Sequence, residues 1–439
     1  MLTVEENDIL TQVGSDTPMG RMMRRFWHPI AASEQVDADG DPLRTMLLGE
    51  NFVVFRATDG TVGVLEEFCM HRRVSLALGR NEGGGLRCLF HGWKFAPDGE
   101  ILETPNHCNE RFRDKVRAPA YPCREAGGLI WTYIGPPELE PEFQQWGFFD
   151  GPDENRVVIR VDSDSNYLQL FEGGTDSSHV AILHSNQANP SWMEDEFTPI
   201  DEEFNPGAIS VDDNAPVLDI QDTEYGYHYA AKRRGAQTDD GQDAYSIRVT
   251  PVILPTCRII PAPSFQVYVF EIPQHDGRTS TYLVNHGPHP VPRSEFLRIF
   301  GLDDERFFDD ETCQFETSWA DGLGQDRPGM KDSWSGYKGI EQEDLIMSLS
   351  MGPIVDRSKE TLVAADRAVV HLRRRMLESV RLHESGEEPI ALELADLSTV
   401  QALCDTVIRT DENWQALVPG NMGTGEFLPE DDHDSHSPD

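Results

Sequence analysis

Four residues in two short segments carry metal-ligand chemistry at a spacing that singles them out. Cys69-Met70-His71 reads C-x-H, and Cys88-Leu89-Phe90-His91 reads C-x-x-H. Each segment offers one thiolate and one imidazole, so the set is two Cys plus two His. A [2Fe–2S] cluster with two thiolates on one iron and two neutral imidazoles on the other needs that division, and the imidazoles raise its potential. A Cys2His2 zinc site uses the same atoms. Zinc fingers, however, pair Cys with Cys and His with His, whereas each segment here is mixed. The remaining cysteines, Cys108, Cys123, Cys257, Cys313 and Cys404, read as ordinary buried thiols.

A second constellation follows in the stretch from Asn166 to His184, where Glu172, Asp176, His179 and His184 spell E-x3-D-x2-H-x4-H. On one continuous helix Glu172, Asp176 and His179 share a face, and His184 needs a slight irregularity to converge with His179. Two imidazoles and one carboxylate form the facial triad of Fe(II) oxygenases, which leaves coordination positions open for O2. A histidine pair alone is more often structural. The acids one and two turns earlier, behind a complete cluster motif, shift the reading to metal.

Taken together, C-x-H, C-x-x-H and E-x3-D-x2-H-x4-H resemble the α subunit of Rieske ring-hydroxylating oxygenases. The likeness is to the branch that includes phthalate dioxygenase and phenoxybenzoate dioxygenase. It is echoed by Thr17-Pro18-Met19-Gly20, Arg24-Arg25-Phe26-Trp27, Gly92-Trp93-Lys94-Phe95 and Met351-Gly352-Pro353-Ile354-Val355-Asp356-Arg357. Met70 stands where the family usually has Pro. The resemblance implies a Rieske [2Fe–2S] cluster on Cys69, His71, Cys88 and His91. It also implies a mononuclear Fe(II) on His179, His184 and Asp344, with Glu341 and Glu343 competing for the third place. It gives Asp176 the task of joining His91 to His179 across the interface between neighbouring subunits of a ring, as a homotrimer or a multiple of trimers. Glu172, placed with Asp176 among the catalytic acids, either supports that bridge or caps local hydrogen bonds.

The activity implied is that of a terminal oxygenase that takes O2 and electrons and hydroxylates, in the leading reading dihydroxylates, an aromatic substrate. The electrons come from NAD(P)H through a separate flavin/ferredoxin-type reductase, because no G-x-G-x-x-G follows a strand in this chain. An O- or N-demethylating monooxygenase is the alternative within the same chemistry. A Rieske electron carrier without oxygenase activity is the remote one, disfavoured by the run from Glu172 to His184. The branch often takes aromatic carboxylates, and a carboxylate calls for an arginine fork. Arg233 and Arg248 are the candidates, while Arg234 reads as a surface residue.

The elements that must hold these groups define an α+β chain. Residues 1–25 read as a helical segment interrupted near Pro18 and Gly20. Residues 26–136 show short β-rich runs separated by Gly and Asp turns, an all-β Rieske domain. Residues 137–425 mix a helical stretch over Tyr167–His184 with long β segments and a final amphipathic helix from about Thr361 to His383. This is the pattern of a catalytic domain with a central antiparallel sheet flanked by helices. Residues 426–439 read as a disordered acidic tail.

Charge sets the boundary conditions. The 439 residues carry 77 Asp+Glu against 37 Lys+Arg, a net charge of −40, with only six lysines. Such a surface repels phosphate backbones and anionic lipid, which disfavours nucleic-acid and membrane-surface roles. It also suggests adaptation to high salt, where screening removes the self-repulsion. The acidic N-terminus lacks signal-peptide order and no apolar run is long enough to span a bilayer, so the expectation is a cytoplasmic protein.

Overall fold

The computed structural model describes residues 2–107, 110–185, 213, 215–262 and 265–420. The expected acidic tail and Cys108 lie outside that set. The class is the expected α+β, with an all-β module followed by a domain built on one large sheet.

Two short helices open the chain, α1 (Val4–Thr11) and α2 (Pro18–Met23). Thr3 and Glu6 close a capping box on α1, and Thr17 caps α2 with Pro18 in its first turn. Their apolar residues Leu10, Met19, Met22 and Met23 enter the same core as Leu372 and Met376 of the last helix, so the N-terminus packs on the second domain.

The all-β module consists of three small antiparallel sheets. Strands β1 (Trp27–Ala32), β10 (Cys123–Ala126) and β11 (Leu129–Tyr133) form one, in the order β1-β11-β10. The second contains β2 (Leu43–Leu47), β3 (Glu50–Arg56), β4 (Val62–Glu66) and β9 (Ala120–Tyr121). The third contains β5 (Arg80–Glu82), β6 (Gly85–Arg87), β7 (Lys94–Phe95) and β8 (Ile101–Glu103). The turn after β2 docks on the large sheet through Leu48 N–H to Pro273 O, 2.9 Å, and Gly49 N–H to Gln274 O, 2.6 Å.

The second domain is a 10-stranded sheet. Its strands are β12 (Arg156–Ser163), β13 (Val217–Thr223), β14 (Gly226–Gln237), β15 (Asp243–Ile253), β16 (Cys257–Ala262), β17 (Phe265–His275), β18 (Arg278–His286), β19 (Phe308–Asp309), β20 (Gln314–Phe315) and β21 (Leu403–Arg409). The order is β13-β14-β15-β16-β17-β18-β12-β20-β19, with β21 added alongside β15. Pairing is antiparallel apart from the parallel contact of Asp162 with Gln314.

Because side chains alternate across a strand, this sheet separates two cores. On β17, Tyr268, Phe270 and Ile272 join the core that holds α1 and α2. Val267 and Val269 point the other way, toward Phe296 and Phe300 of α5 (Arg293–Phe300) and Leu345 and Ile346 of α6 (Ile340–Ser350). The final helix α7 (Arg367–Ser385) begins six residues later than expected, after a 3-10 turn over Ala364–Asp366.

The expected continuous helix over Tyr167–His184 is instead two pieces, α3 (Tyr167–Gly173) and α4 (Val180–Leu183). Glu172, Asp176 and His179 therefore do not share one helical face. The cause is local: Gly173-Gly174 ends α3, and the Asp176 carboxylate accepts from Ser178 N–H at 2.8 Å and His179 N–H at 3.3 Å. A short acid bonding to backbone donors two and three residues ahead competes with helix continuation.

Candidate active site and its two metal centres

The two cluster segments fold into matching loops. Cys69 N–H bonds to Val74 O at 2.9 Å and Cys88 N–H to Trp93 O at 2.8 Å. Arg73 N–H and Gly92 N–H return to Cys69 O and Cys88 O at 2.8 and 3.0 Å. Each loop turns through a left-handed residue at the same place, Arg73 at φ 58 and Gly92 at φ 74. Glycine takes that conformation without cost, whereas an arginine there is held by its surroundings.

The loops bring the four ligand residues together. Both cysteines are 2% exposed, and burial with the adjacent Cys88 sulfur pushes the Cys69 thiol up to about 11. The His71 and His91 rings lie 4.5 Å apart between centroids, and Trp93 stacks on His71 at 4.7 Å. His91 Nδ1 is shielded from solvent and has no hydrogen-bond partner among the described residues. A buried nitrogen lone pair beside two buried cysteine sulfurs, of which Cys69 resists ionisation in the absence of positive charge, fits an iron–sulfur cluster, which takes thiolates and neutral imidazoles.

At the second site, the break after α3 turns His179 and His184 toward each other, Nε2 to Nε2 at 3.2 Å. Asp344 on α6 approaches both, with Oδ1 at 3.2 Å from His184 Nε2 and 3.5 Å from His179 Nε2. Ligands about 2.1 Å from one metal at right angles lie roughly 3 Å apart, so these three atoms fit one face of an octahedron. The donor set suits a mononuclear iron.

The acids on α6 divide the work by helical phase. Glu343 turns to His184 Nδ1 at 2.7 Å and also accepts from the Ser335 hydroxyl. That bond directs Nε2 toward the metal position and fixes the tautomer. Burial alone would lower His184, yet Asp344 and Glu343 raise it to about 10. The same attraction outweighs burial at Asp344 and holds its carboxyl below the ordinary range. The pocket thus favours positive charge where the three ligands meet.

The other expected residues are placed unevenly. Asp176 is half-buried beside the site, its Oδ2 3.4 Å from His179 Nδ1. Among the described residues it makes no bond to His91 of its own chain. Glu172, expected with the catalytic acids, does not line the cavity. It accepts from Arg357 Nε at 2.9 Å and Arg373 Nε at 2.6 Å, so it clamps α3 to the C-terminal segments. Arg248 lines the cavity, with one Nη donating to Pro261 O and Nε without a partner among the described residues. Arg233 does not line it; its Nη2 holds the Ser177 carbonyl and hydroxyl at 2.9 and 3.0 Å, beside Asp176. Arg234 pairs with Asp213 at the surface, as expected.

A cavity of about 150 Å³ opens over the triad, walled by residues such as Ile260, Val267, Val269, Leu283, Phe296 and Phe300. Two of its residues were not legible as site residues. Arg258 is bound to Glu271 at 2.8 Å and packs against Gly174. Tyr229 reaches Thr175 O with its hydroxyl at 2.7 Å. Both are ordinary strand residues by pattern; only the paired glycines before Asp176 hint that something approaches that turn closely.

Residues 26–122 match the Rieske [2Fe-2S] domain family, and residues 132–431 match the family described as LigXa C-terminal domain like. This chain belongs to the Rieske oxygenase family.

The oxygenase is 35% identical to the phthalate 4,5-dioxygenase oxygenase subunit of Pseudomonas putida, with 100% of each chain covered. It is 31% identical to the 3-chlorobenzoate-3,4-dioxygenase oxygenase subunit of Comamonas testosteroni, over 90% of this chain and 93% of that one. The 5,5'-dehydrodivanillate O-demethylase oxygenase subunit of a Sphingobium species is 28% identical over 98% of this chain and 92% of that one. Among solved structures, the terminal oxygenase of carbazole 1,9a-dioxygenase from Nocardioides aromaticivorans superposes with a TM-score of 0.56 at 19% identity. That superposition covers 86% of this chain and 97% of the other, and the two share the fold. The oxygenase carries the Rieske [2Fe–2S] domain and a His/Asp site for the mononuclear iron of its family.

Proposed function

We propose that this Rieske oxygenase hydroxylates an aromatic carboxylate, with Arg248 binding the carboxylate and His179, His184 and Asp344 holding the iron. The observation that carries this reading is the Arg248 guanidinium, which lines the cavity beside the triad with its Nε unpartnered and no acid paired to it among the described residues, whereas Arg258, the other arginine there, is held by Glu271. A cavity near 150 Å³ accommodates one benzene ring. A buried arginine without an acid partner is costly unless an anion arrives to pair with it. Arg233 acts instead as a positioning residue for the Asp176 turn.

Iron on the triad supplies activation of O2. The chain's own residues do the rest. Apolar walls exclude water and orient the ring, Glu343 holds the His184 proton on Nδ1, and Asp176 accepts from the His179 Nδ1 side. We further propose that Asp176 links His179 to His91 of a neighbouring subunit in a trimeric ring. The absence of an intrachain bond among the described residues supports that reading. So do the exposed Leu89 and Phe90 beside His91, 59% and 51% accessible, which suit burial against another subunit. Electrons then come from a flavin/ferredoxin-type reductase. A cytoplasmic setting is supported by six free cysteines among the described residues, none in a disulfide. No described helix is long and apolar enough to cross a membrane.

The test is kinetic. Arg248→Ala raises KM for an aromatic acid far more than for the matching amide, because only the acid loses a charged partner. Equal effects on both reject the carboxylate role. Product mass from the same turnovers separates ring dihydroxylation from demethylation, the chemistry named for the Sphingobium relative.

A further inference from the structure

Three acids stand within one turn at the start of α6, and two have evident partners. Glu343 bonds to His184 and Ser335, and Asp344 faces both histidines. Glu341 has neither. It lies three residues before Asp344, so both point to the same side of the helix, and it lines the cavity. Only 7% of the residue is exposed, and no hydrogen bond or ion pair engages its carboxyl among the described residues. The charged groups around it are Glu271, Asp344, Arg258 and His184, of which Arg258 is already taken by Glu271.

Buried carboxyls without partners are rare, because removing one from water without a compensating bond is costly. The bland explanation would be a packing residue, but packing favours Leu or Met at such a site. Burial together with Glu271 and Asp344 pushes the group up to about 8. A carboxyl facing an apolar cavity is a hydrogen-bonding group waiting for a ligand atom. Either protonation state can bond a hydroxyl, which both donates and accepts.

We propose that Glu341 is a specificity-determining residue that hydrogen-bonds an oxygen substituent on the ring of the substrate, at the iron-facing wall of the cavity. This rests on the aromatic-acid reading and narrows it to oxygen-substituted aromatic acids. Glu341 thereby selects against bare or alkylated rings. A site built to bond a substrate hydroxyl rejects the analogue that lacks it, because the protein's own polar group is left unpaired.

The experiment is calorimetric titration of the full-length, cluster- and iron-loaded protein, held without reductant so that no turnover occurs. The probes are 3- and 4-hydroxybenzoate, each against the toluate that replaces the hydroxyl by a methyl of similar size. The expected result is a preference of roughly tenfold or more for at least one hydroxybenzoate, corresponding to about 1.4 kcal/mol. E341Q, whose amide also donates and accepts, keeps that preference, and E341L removes it with an unchanged cluster spectrum and iron content. No preference in the unmodified protein, a comparison that needs no variant to fold, overturns the proposal. So does a preference that survives in E341L. If the unmodified protein binds none of the four acids, the aromatic-acid reading itself falls, a result distinct from binding all four equally.

Discussion

Gly174→Ala is a change of one methyl group that the structure turns into a large effect. Gly174 has φ −71, open to any residue, so backbone strain is not the issue. A Cβ built there lies 1.8 Å from Arg258 Nε, 2.0 Å from Cζ and 2.2 Å from Nη2. The guanidinium must leave its seat, and with it the 2.8 Å bond from Nη1 to Glu271, where both side chains are almost fully buried. Breaking such a pair costs about 3 to 5 kcal/mol. Replacing Gly by Ala at an unstrained position returns about 0.4 to 1 kcal/mol by stiffening the unfolded chain. The net loss is therefore about 2 to 4.6 kcal/mol. At about 2 to 4 °C per kcal/mol, the second domain's transition in scanning calorimetry should fall by roughly 4 to 18 °C. The decisive control is the same substitution in an R258A/E271A background, where the methyl has room and the change should be neutral or slightly stabilising. A drop of equal size in both backgrounds, or a drop under about 1 kcal/mol in the unmodified protein, would refute the reasoning.

Two further outcomes are expected. Replacing His179 and His184 together by Ala should remove one of about three irons per chain while the two acid-labile sulfides and the visible cluster spectrum persist; loss of sulfide along with the iron would show that the two sites are not separable. With a net charge of −40, the melting temperature should climb between 0.1 and 1 M KCl, as the screening length shrinks from about 10 to about 3 Å. A flat curve would remove the salt-adaptation reading.

What could be read from the residue order alone was whatever depends on short loops and local periodicity. The Cys69/His71 and Cys88/His91 spacing names a mixed-ligand cluster because each pair sits in its own tight turn, and the order of residues settles a turn's geometry. The α+β class followed for the same reason, since strand alternation and helix caps are local. The pair His179/His184 was also visible, but its setting was not. Periodicity suggested one helix, whereas side-chain bonds from Asp176 to the backbone ended it, a competition that sequence spacing does not rank.

Choices between chemically equal residues were made only by the packed sheet. Glu341, Glu343 and Asp344 are indistinguishable as letters in an acid-rich chain. They separate because α6 is docked on β17 and β18 at one rotation, and a helix advances about 100° per residue. Arg233 and Arg248 likewise belong to neighbouring strands with similar surroundings in sequence, yet one holds the Asp176 turn and the other faces the cavity. Glu172 looked catalytic by spacing and became a clamp through Arg357 and Arg373, partners some 185 and 201 positions away. Ligand types are a property of composition and short spacing. Which of several equal acids or arginines faces the reacting centre depends on long-range packing, because burial and partner charges arise only when distant segments meet.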